Sequence, residues 1–354
     1  MNDVSSLLSN PKPPPSSEVP LVEARALEKH FSGSGSFFGR KRGLVKAVDG
    51  VDLSVYEGET FGLVGESGCG KSTLGRMLIR LLDPNQGSVL FRGENLSDLS
   101  GDRLRQTRSQ MQIIFQDPFG SLDPRYSVQR SIAEPLQAHG ITDKKRIRNR
   151  VEELLELVGL PQSMSKRLPN EMSGGQRQRV GIARAIALEP KFIVADEPVS
   201  ALDVSVQAQI LNLLMDLQNR LGLTYLFVSH GLNVVRHVSN RAAVMYLGRI
   251  MELAPSEVLF SSFAHPYTGS LFSAVATLDN QQDQKRIVLR GEVGSASRVP
   301  TGCRFHPRCP MRRQICEELQ PELQEIAPGH FCACHFPLVS DSDRASFFNA
   351  STNK

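Results

Sequence analysis

The chain has 354 residues, 40% of them hydrophobic, enough to bury the core of one full domain and an appended one. Its 41 basic and 37 acidic residues are interspersed and leave a net charge of +4, which gives no ground for nucleic-acid binding. No apolar run approaches the roughly 20 residues of a membrane-spanning helix, and Met1-Asn2-Asp3-Val4 does not open a secretory signal, so a globular, cytosolic protein is expected.

In chain order, residues 1–20 read as a mobile tail, with Pro11, Pro13, Pro14 and Pro15 among serines. Strands follow from Val22, broken by a loop at Ser32-Gly33-Ser34-Gly35-Ser36. Arg40-Lys41-Arg42 beyond it reads as a solvated cluster rather than a lipid contact. Thr60-Phe61-Gly62-Leu63-Val64 is a buried-type strand feeding a glycine loop, and Ser72 to Leu82 reads as the helix after it. Val151 to Val158 is a helical stretch stopped by Gly159, with Pro161 beyond. A strand over 192–196, a helix over about 205–220 closed by Gly222, and a strand Tyr225-Leu226-Phe227-Val228 ending at Ser229-His230 complete the pattern. Alternating strands and helices imply an α/β fold with a mostly parallel, covered sheet.

Gly65-Glu66-Ser67-Gly68-Cys69-Gly70-Lys71-Ser72, followed by Thr73, satisfies the P-loop pattern. Its glycines let backbone amides approach phosphates, Lys71 neutralises the outer ones, and Ser72 ligates Mg2+. Cys69 is read as a tolerated small side chain rather than a nucleophile. Ser173-Gly174-Gly175-Gln176 opens a helix and offers bare amides to an anion. Asp196 ends an apolar strand, where a carboxylate can hold Mg2+, and Glu197 is the base for an attacking water. Taken alone, Asp196 and Glu197 would be a solvent-facing acidic pair; the two loops upstream argue otherwise.

In this order the motifs resemble those of the ATPase subunit of an ABC transporter over residues 22 to about 255. The resemblance implies a P-loop NTPase domain over 21–260 with a helical subdomain over about 105–172. It implies that Gln116, after Met111-Gln112-Ile113-Ile114-Phe115, touches Mg2+ and senses the membrane partner. It implies a D-loop at Ser200-Ala201-Leu202-Asp203 and a switch histidine, His230, on the γ-phosphate. Phe31 becomes the aromatic that stacks on adenine, with Phe37 and Phe38 as runners-up. Gly231 departs from the family's usual aspartate after that histidine, without removing a group expected to touch phosphate. The resemblance also implies that Ser173-Gly174-Gly175-Gln176 faces ATP held by a second ATPase subunit, so nucleotide binding closes a dimer and hydrolysis opens it.

Phe263 to Ala274 and Gly302-Cys303-Arg304-Phe305-His306-Pro307-Arg308-Cys309-Pro310 resemble the oligopeptide and dipeptide importer branch, as does Asp117 to Arg125. This marks 261–337 as a C-terminal region, with a flexible tail over 338–354. Five of the six cysteines lie after residue 300, which in a reducing compartment points to metal or cluster ligation. The spacing Cys303-x5-Cys309-x6-Cys316-x17-Cys334 suits four thiolate ligands and does not decide between an iron–sulfur cluster and Zn2+. Resemblance to this branch implies a [4Fe-4S] cluster on those four; Zn2+ and metal-free thiols are the alternatives, and Cys332 the substitute for Cys334. His306, His330 and His335 read as packing or surface histidines.

The expected function is ATP-driven import of di- or oligopeptides from the cytoplasmic face of a bacterial inner membrane. The implied partners are a paralogous or identical ATPase subunit, two transmembrane permease subunits and an extracytoplasmic peptide-binding protein. The same engine could serve nickel, glutathione or a glycoside. A soluble repair ATPase of this class inserts a long coiled coil between P-loop and Asp-Glu strand, but Lys71 and Asp196 are only 125 positions apart. Translation-type members carry two cassettes, against one here.

Overall fold

The structure is a computed structural model that describes residues 19–32, 44–117, 120–273 and 294–352. Nearly all of the expected N-terminal tail, Arg40-Lys41-Arg42, Phe37 and Phe38 lie outside the described residues.

Among the described residues, two sheets form the frame. The larger has eight strands, and its centre is five parallel strands in the spatial order 241–246, 60–64, 224–228, 192–196, 111–114. These strands read as continuous apolar runs because both faces are covered. Side chains alternate between two cores, as a period of two requires. Phe192, Val194, Leu226 and Val228 face one core, whereas Ile193, Ala195, Tyr225 and Phe227 face the other. The second sheet is antiparallel, in the order 45–56, 20–31, 86–91, 94–95, and shares the first core with the helix Lys71–Leu78.

The helical part contains Val128–Ala138 and Lys144–Leu157, packed on Gly174–Ile186 through Ile132, Leu136, Val151, Leu154 and Ile182. It starts later than 105, because Met111–Ile114 pairs with Phe192–Asp196 and belongs to the central sheet. The P-loop helix also stops before Leu82. Arg80 adopts a left-handed φ of 51°, and its guanidinium bonds the carbonyls of Leu96 and Leu99.

The C-terminal region extends the sheet rather than hanging from it. Arg249–Pro255 pairs antiparallel with both Arg241–Tyr246 and His330–Cys332, and Gln324–Ala327 closes the edge. The expectation of a flexible tail over 338–354 is corrected: Asp341–Thr352 is a helix, with Leu338 and Phe347 buried against Phe263. Its start is capped reciprocally, since Ser340 Oγ accepts from the Asp343 amide and Asp343 Oδ2 accepts from the Ser340 amide. Among the described residues no helix is long and apolar enough to cross a membrane.

Candidate active site

Parallel strands all end on one edge, and side chains just past their C-termini converge there. The fully buried strand Thr60–Val64 delivers the glycine loop to that edge. A Cβ on Gly65 would lie 2.1 Å from the Met245 carbonyl oxygen, and one on Gly70 would lie 1.9 Å from that of Ala47. Neither position admits a side chain. The helix begins at Lys71 directly after Gly70, so its free amides point into the loop. Lys71 is buried, its Nζ donating to the carbonyls of Gly65 at 2.8 Å and Glu66 at 3.0 Å. Ser67 and Gly68 form the exposed tip. Cys69 is buried, and burial pushes its thiol pKa up, as befits packing rather than nucleophilic attack.

Ser72 and Asp196, 124 positions apart in sequence, meet across the site, the Ser72 hydroxyl donating to Asp196 Oδ1 at 2.7 Å. Burial raises the Asp196 pKa, opposed by the Ser72 hydrogen bond and by Arg76, whose Nη2 lies 3.8 Å from Oδ2. Such a desolvated carboxylate beside a hydroxyl gives a hard cation the oxygen donors it prefers.

Glu197 has a left-handed φ of 48°, and its amide donates to the Val228 carbonyl at 2.9 Å. Its Oε2 accepts from Gln116 Nε2 at 2.9 Å and lies 3.2 Å from His230 Nδ1. Gln116, Glu197 and His230 follow three adjacent parallel strands, which explains how residues far apart in sequence share one carboxylate oxygen. The structure thus seats Gln116 on Glu197, not on the Ser72–Asp196 pair. Gly231 precedes the helix Leu232–Val238, with φ −82° and its amide bonded to Ser229 Oγ at 2.9 Å.

Ser173 caps the helix Gly174–Ile186. Its Oγ accepts from the Gln176 amide at 3.3 Å, and Gln176 Oε1 accepts from the Ser173 amide at 3.0 Å. Gly174 packs on Leu202 and Gly175 on Val206, the latter closely enough that a Cβ would lie 2.6 Å from Val206 Cγ1. Asp203 caps the next helix, Val204–Leu221, and the amide of Val206 with the hydroxyl of Ser205 lowers its pKa. Phe31 is 40% exposed at the end of its strand, with Lys29 Nζ 5.7 Å from its ring centroid.

Cys303, Cys309, Cys316 and Cys334 line one cavity with His265, Phe305 and Phe336. Burial pushes the thiols of Cys309 and Cys334 up to about 12, each further raised by its neighbouring cysteines. Among the described residues no three of these sulfurs lie within 4.8 Å of one another. Cys332, buried on its own strand, does not line the cavity. His306 Nδ1 is bonded to the Cys303 carbonyl, His330 to Glu252 and His335 to the Leu319 carbonyl.

Sequence reasoning missed one contact. Arg308 Nη1 lies 3.0 and 2.9 Å from the two carboxylate oxygens of Glu66, and the Tyr267 hydroxyl accepts from the Glu66 amide at 3.0 Å. Separations of 242 and 201 positions leave no local signal for it.

A phosphate loop, an Asp-Glu strand end and a histidine gathered on one edge of a parallel sheet define an ABC-type ATPase. Comparison with known proteins agrees at both ends of the chain. The ABC transporter family model matches residues 48–200, and the model for the oligopeptide/dipeptide transporter C-terminal region matches 251–316. The oligopeptide transport ATP-binding protein AppF of Bacillus subtilis is 52% identical over 318 residues, covering 89% of this chain and 97% of that protein. The dimeric ATP-binding cassette MJ0796, solved in a post-hydrolysis state with ADP and Pi, aligns with TM-score 0.59 and 30% identity, over 66% of this chain and 98% of its own. CbiO1 of Clostridium perfringens, from a CbiONQ transporter complex, aligns with TM-score 0.59 and 26% identity, over 69% and 92%. The chain belongs to the ABC transporter ATP-binding proteins that carry the oligopeptide/dipeptide C-terminal region, and it is an ATPase.

Proposed function

We propose that this ATPase powers import of di- or oligopeptides across a bacterial inner membrane, bound at its cytoplasmic face. Two ATPase subunits, identical or paralogous, would sit on two transmembrane permease subunits fed by an extracytoplasmic peptide-binding protein. The match to the oligopeptide/dipeptide region over 251–316 carries the cargo assignment, supported by the transport named for AppF.

The roles proposed for the site residues rest on the family resemblance together with the geometry. The loop amides and Lys71 bind the phosphates of ATP, and Phe31 stacks on adenine. Mg2+, which neutralises phosphate charge, would be held by Ser72 and Asp196, with Gln116 close by on Glu197. Glu197 takes the proton of the attacking water, positioned by Gln116 and His230. His230 then reports the γ-phosphate. Ser173, Gly174, Gly175 and Gln176, with Asp203, complete the site of the partner subunit, so each ATP joins two chains.

In the extension, Cys303, Cys309, Cys316 and Cys334 line one cavity, and four thiolates there suit an iron–sulfur cluster or a tetrahedral Zn2+. Resemblance to the peptide importer branch favours a [4Fe-4S] cluster on these four cysteines, with Zn2+ as the alternative.

The test is peptide uptake in cells lacking this chain, complemented with wild type or Lys71→Ala. Growth of auxotrophs on di-, tri- and longer peptides should return with wild type alone. Failure of wild type to restore uptake, or equal rescue by Lys71→Ala, overturns the reading.

A further inference from the structure

We propose that Arg308 and Tyr267 are positioning residues for ATP binding: the C-terminal region braces the phosphate loop by gripping Glu66. Glu66 is the second residue of the loop and is held at three points. Its amide donates to Tyr267 Oη, its carboxylate takes both contacts from Arg308 Nη1, and its carbonyl accepts from Lys71 Nζ. The amide and carboxylate are held by residues within 251–316, and the carbonyl by the lysine that must meet phosphate and by the Cys69 amide at 3.3 Å.

The brace is built on a rigid base. The Arg308 side chain is 7% exposed and that of Glu66 20%, so water screens the pair weakly. The Arg308 guanidinium lies 6.0 Å from the Tyr246 ring centroid, and its Nη1 3.4 Å from the Tyr246 hydroxyl. Tyr246, Tyr267 and Phe305 pack against one another, with centroids 4.5, 5.3 and 5.7 Å apart. Tyr246 ends the strand next to Thr60–Val64, so this aromatic cluster sits beneath the loop. Arg304, in the same segment, bonds the Leu247 carbonyl and the Asp49 carboxylate, fixing the segment to the nucleotide domain a second time. The turn His306–Arg308 lies between Cys303 and Cys309, two of the cavity cysteines, so the cysteine module and the loop share one support.

A loop held in its receiving conformation does not lose that freedom again when phosphate binds, so the brace should act on affinity more than on turnover. Removing one hydrogen bond or ion pair should weaken nucleotide binding about fivefold. The experiment measures MgATP affinity, KM and kcat for the full chain as wild type, Arg308→Met, Glu66→Ala, the double variant and Tyr267→Phe. A melting curve confirms that each is folded. The expected result is a KM raised about fivefold in each single variant, with kcat at saturating ATP within about twofold in Arg308→Met and Tyr267→Phe. The double variant should be no weaker than the worse single one, since both cut the same contact. Tyr267→Phe keeps the ring packing and loses only the acceptor, so it remains informative if Arg308→Met does not fold. Wild-type affinity in a folded Tyr267→Phe or Arg308→Met, or additive losses in the double variant, would overturn the proposal.

Discussion

Glu197 sits where the backbone is strained, at φ 48°, and the strain turns its carboxylate toward Gln116 and His230. Glu197→Gln keeps the shape and removes the base. ATP turnover is expected to fall by about 10²- to 10⁴-fold while equilibrium ATP binding is retained; single-turnover assays separate the two. Gly231, the one departure from the usual motif, offers a second prediction. A Cβ there meets only Ser229 Oγ and Val234 at 3.4 Å, and the backbone is ordinary. Gly231→Asp should therefore fold and hydrolyse ATP within about threefold of wild type. At this scale the positions of Asp196, which ends an apolar strand, and of Glu197 and His230, just beyond strand ends, were legible in the sequence. That Gln116 bonds Glu197 was not, because it depends on which strands lie side by side. Arg308 and Tyr267 were legible only as members of a resembling segment, with no sign that they reach Glu66.

Between elements, small residues set the fit. Gly175 and Gly181 lie on the same helix, Gly174–Ile186, yet only Gly175 is pressed against a neighbour, Val206. Gly175→Ala should cost about 1–3 kcal/mol by overpacking a stiff β-branched side chain. Gly181→Ala has nothing within 4 Å of the new methyl and should gain about 0.5–1 kcal/mol. Urea unfolding of the two variants checks both signs. Strands and helices around the nucleotide site follow from periodicity, including Val204–Leu221 and its αL Gly222 cap. The C-terminal helix did not, since its stretch is mostly polar; the Ser340-x-x-Asp343 cap was the available signal. Its burial rests on Phe347, fully enclosed against Phe263 and Gly269. The P-loop helix ends at Leu78, and just beyond it Arg80 has a left-handed φ and a guanidinium bonded to distant carbonyls, which no local pattern predicts.

Across the whole molecule, the nucleotide domain and the cysteine-bearing region share one sheet and one aromatic cluster, so they should unfold together. Burial holds the His265 imidazole down to about 3, with Nδ1 accepting from the Tyr267 amide. The unfolded chain binds that proton near pH 6.5, so stability should fall as pH drops from about 6.5 toward about 3. His265→Asn, which does not titrate, should lose less stability between pH 7 and pH 4.5. Anaerobically purified protein should contain about four irons per chain, reduced sharply by Cys309→Ser; stoichiometric zinc instead would remove the cluster from the account. The most direct measurement is ATP hydrolysis by the chain assembled with its permease subunits in proteoliposomes, with and without peptide-loaded binding protein. Peptide should stimulate turnover and be taken up in step with it, and both should collapse in Glu197→Gln. Hydrolysis indifferent to peptide, or unchanged in that variant, would contradict a peptide importer driven from this site.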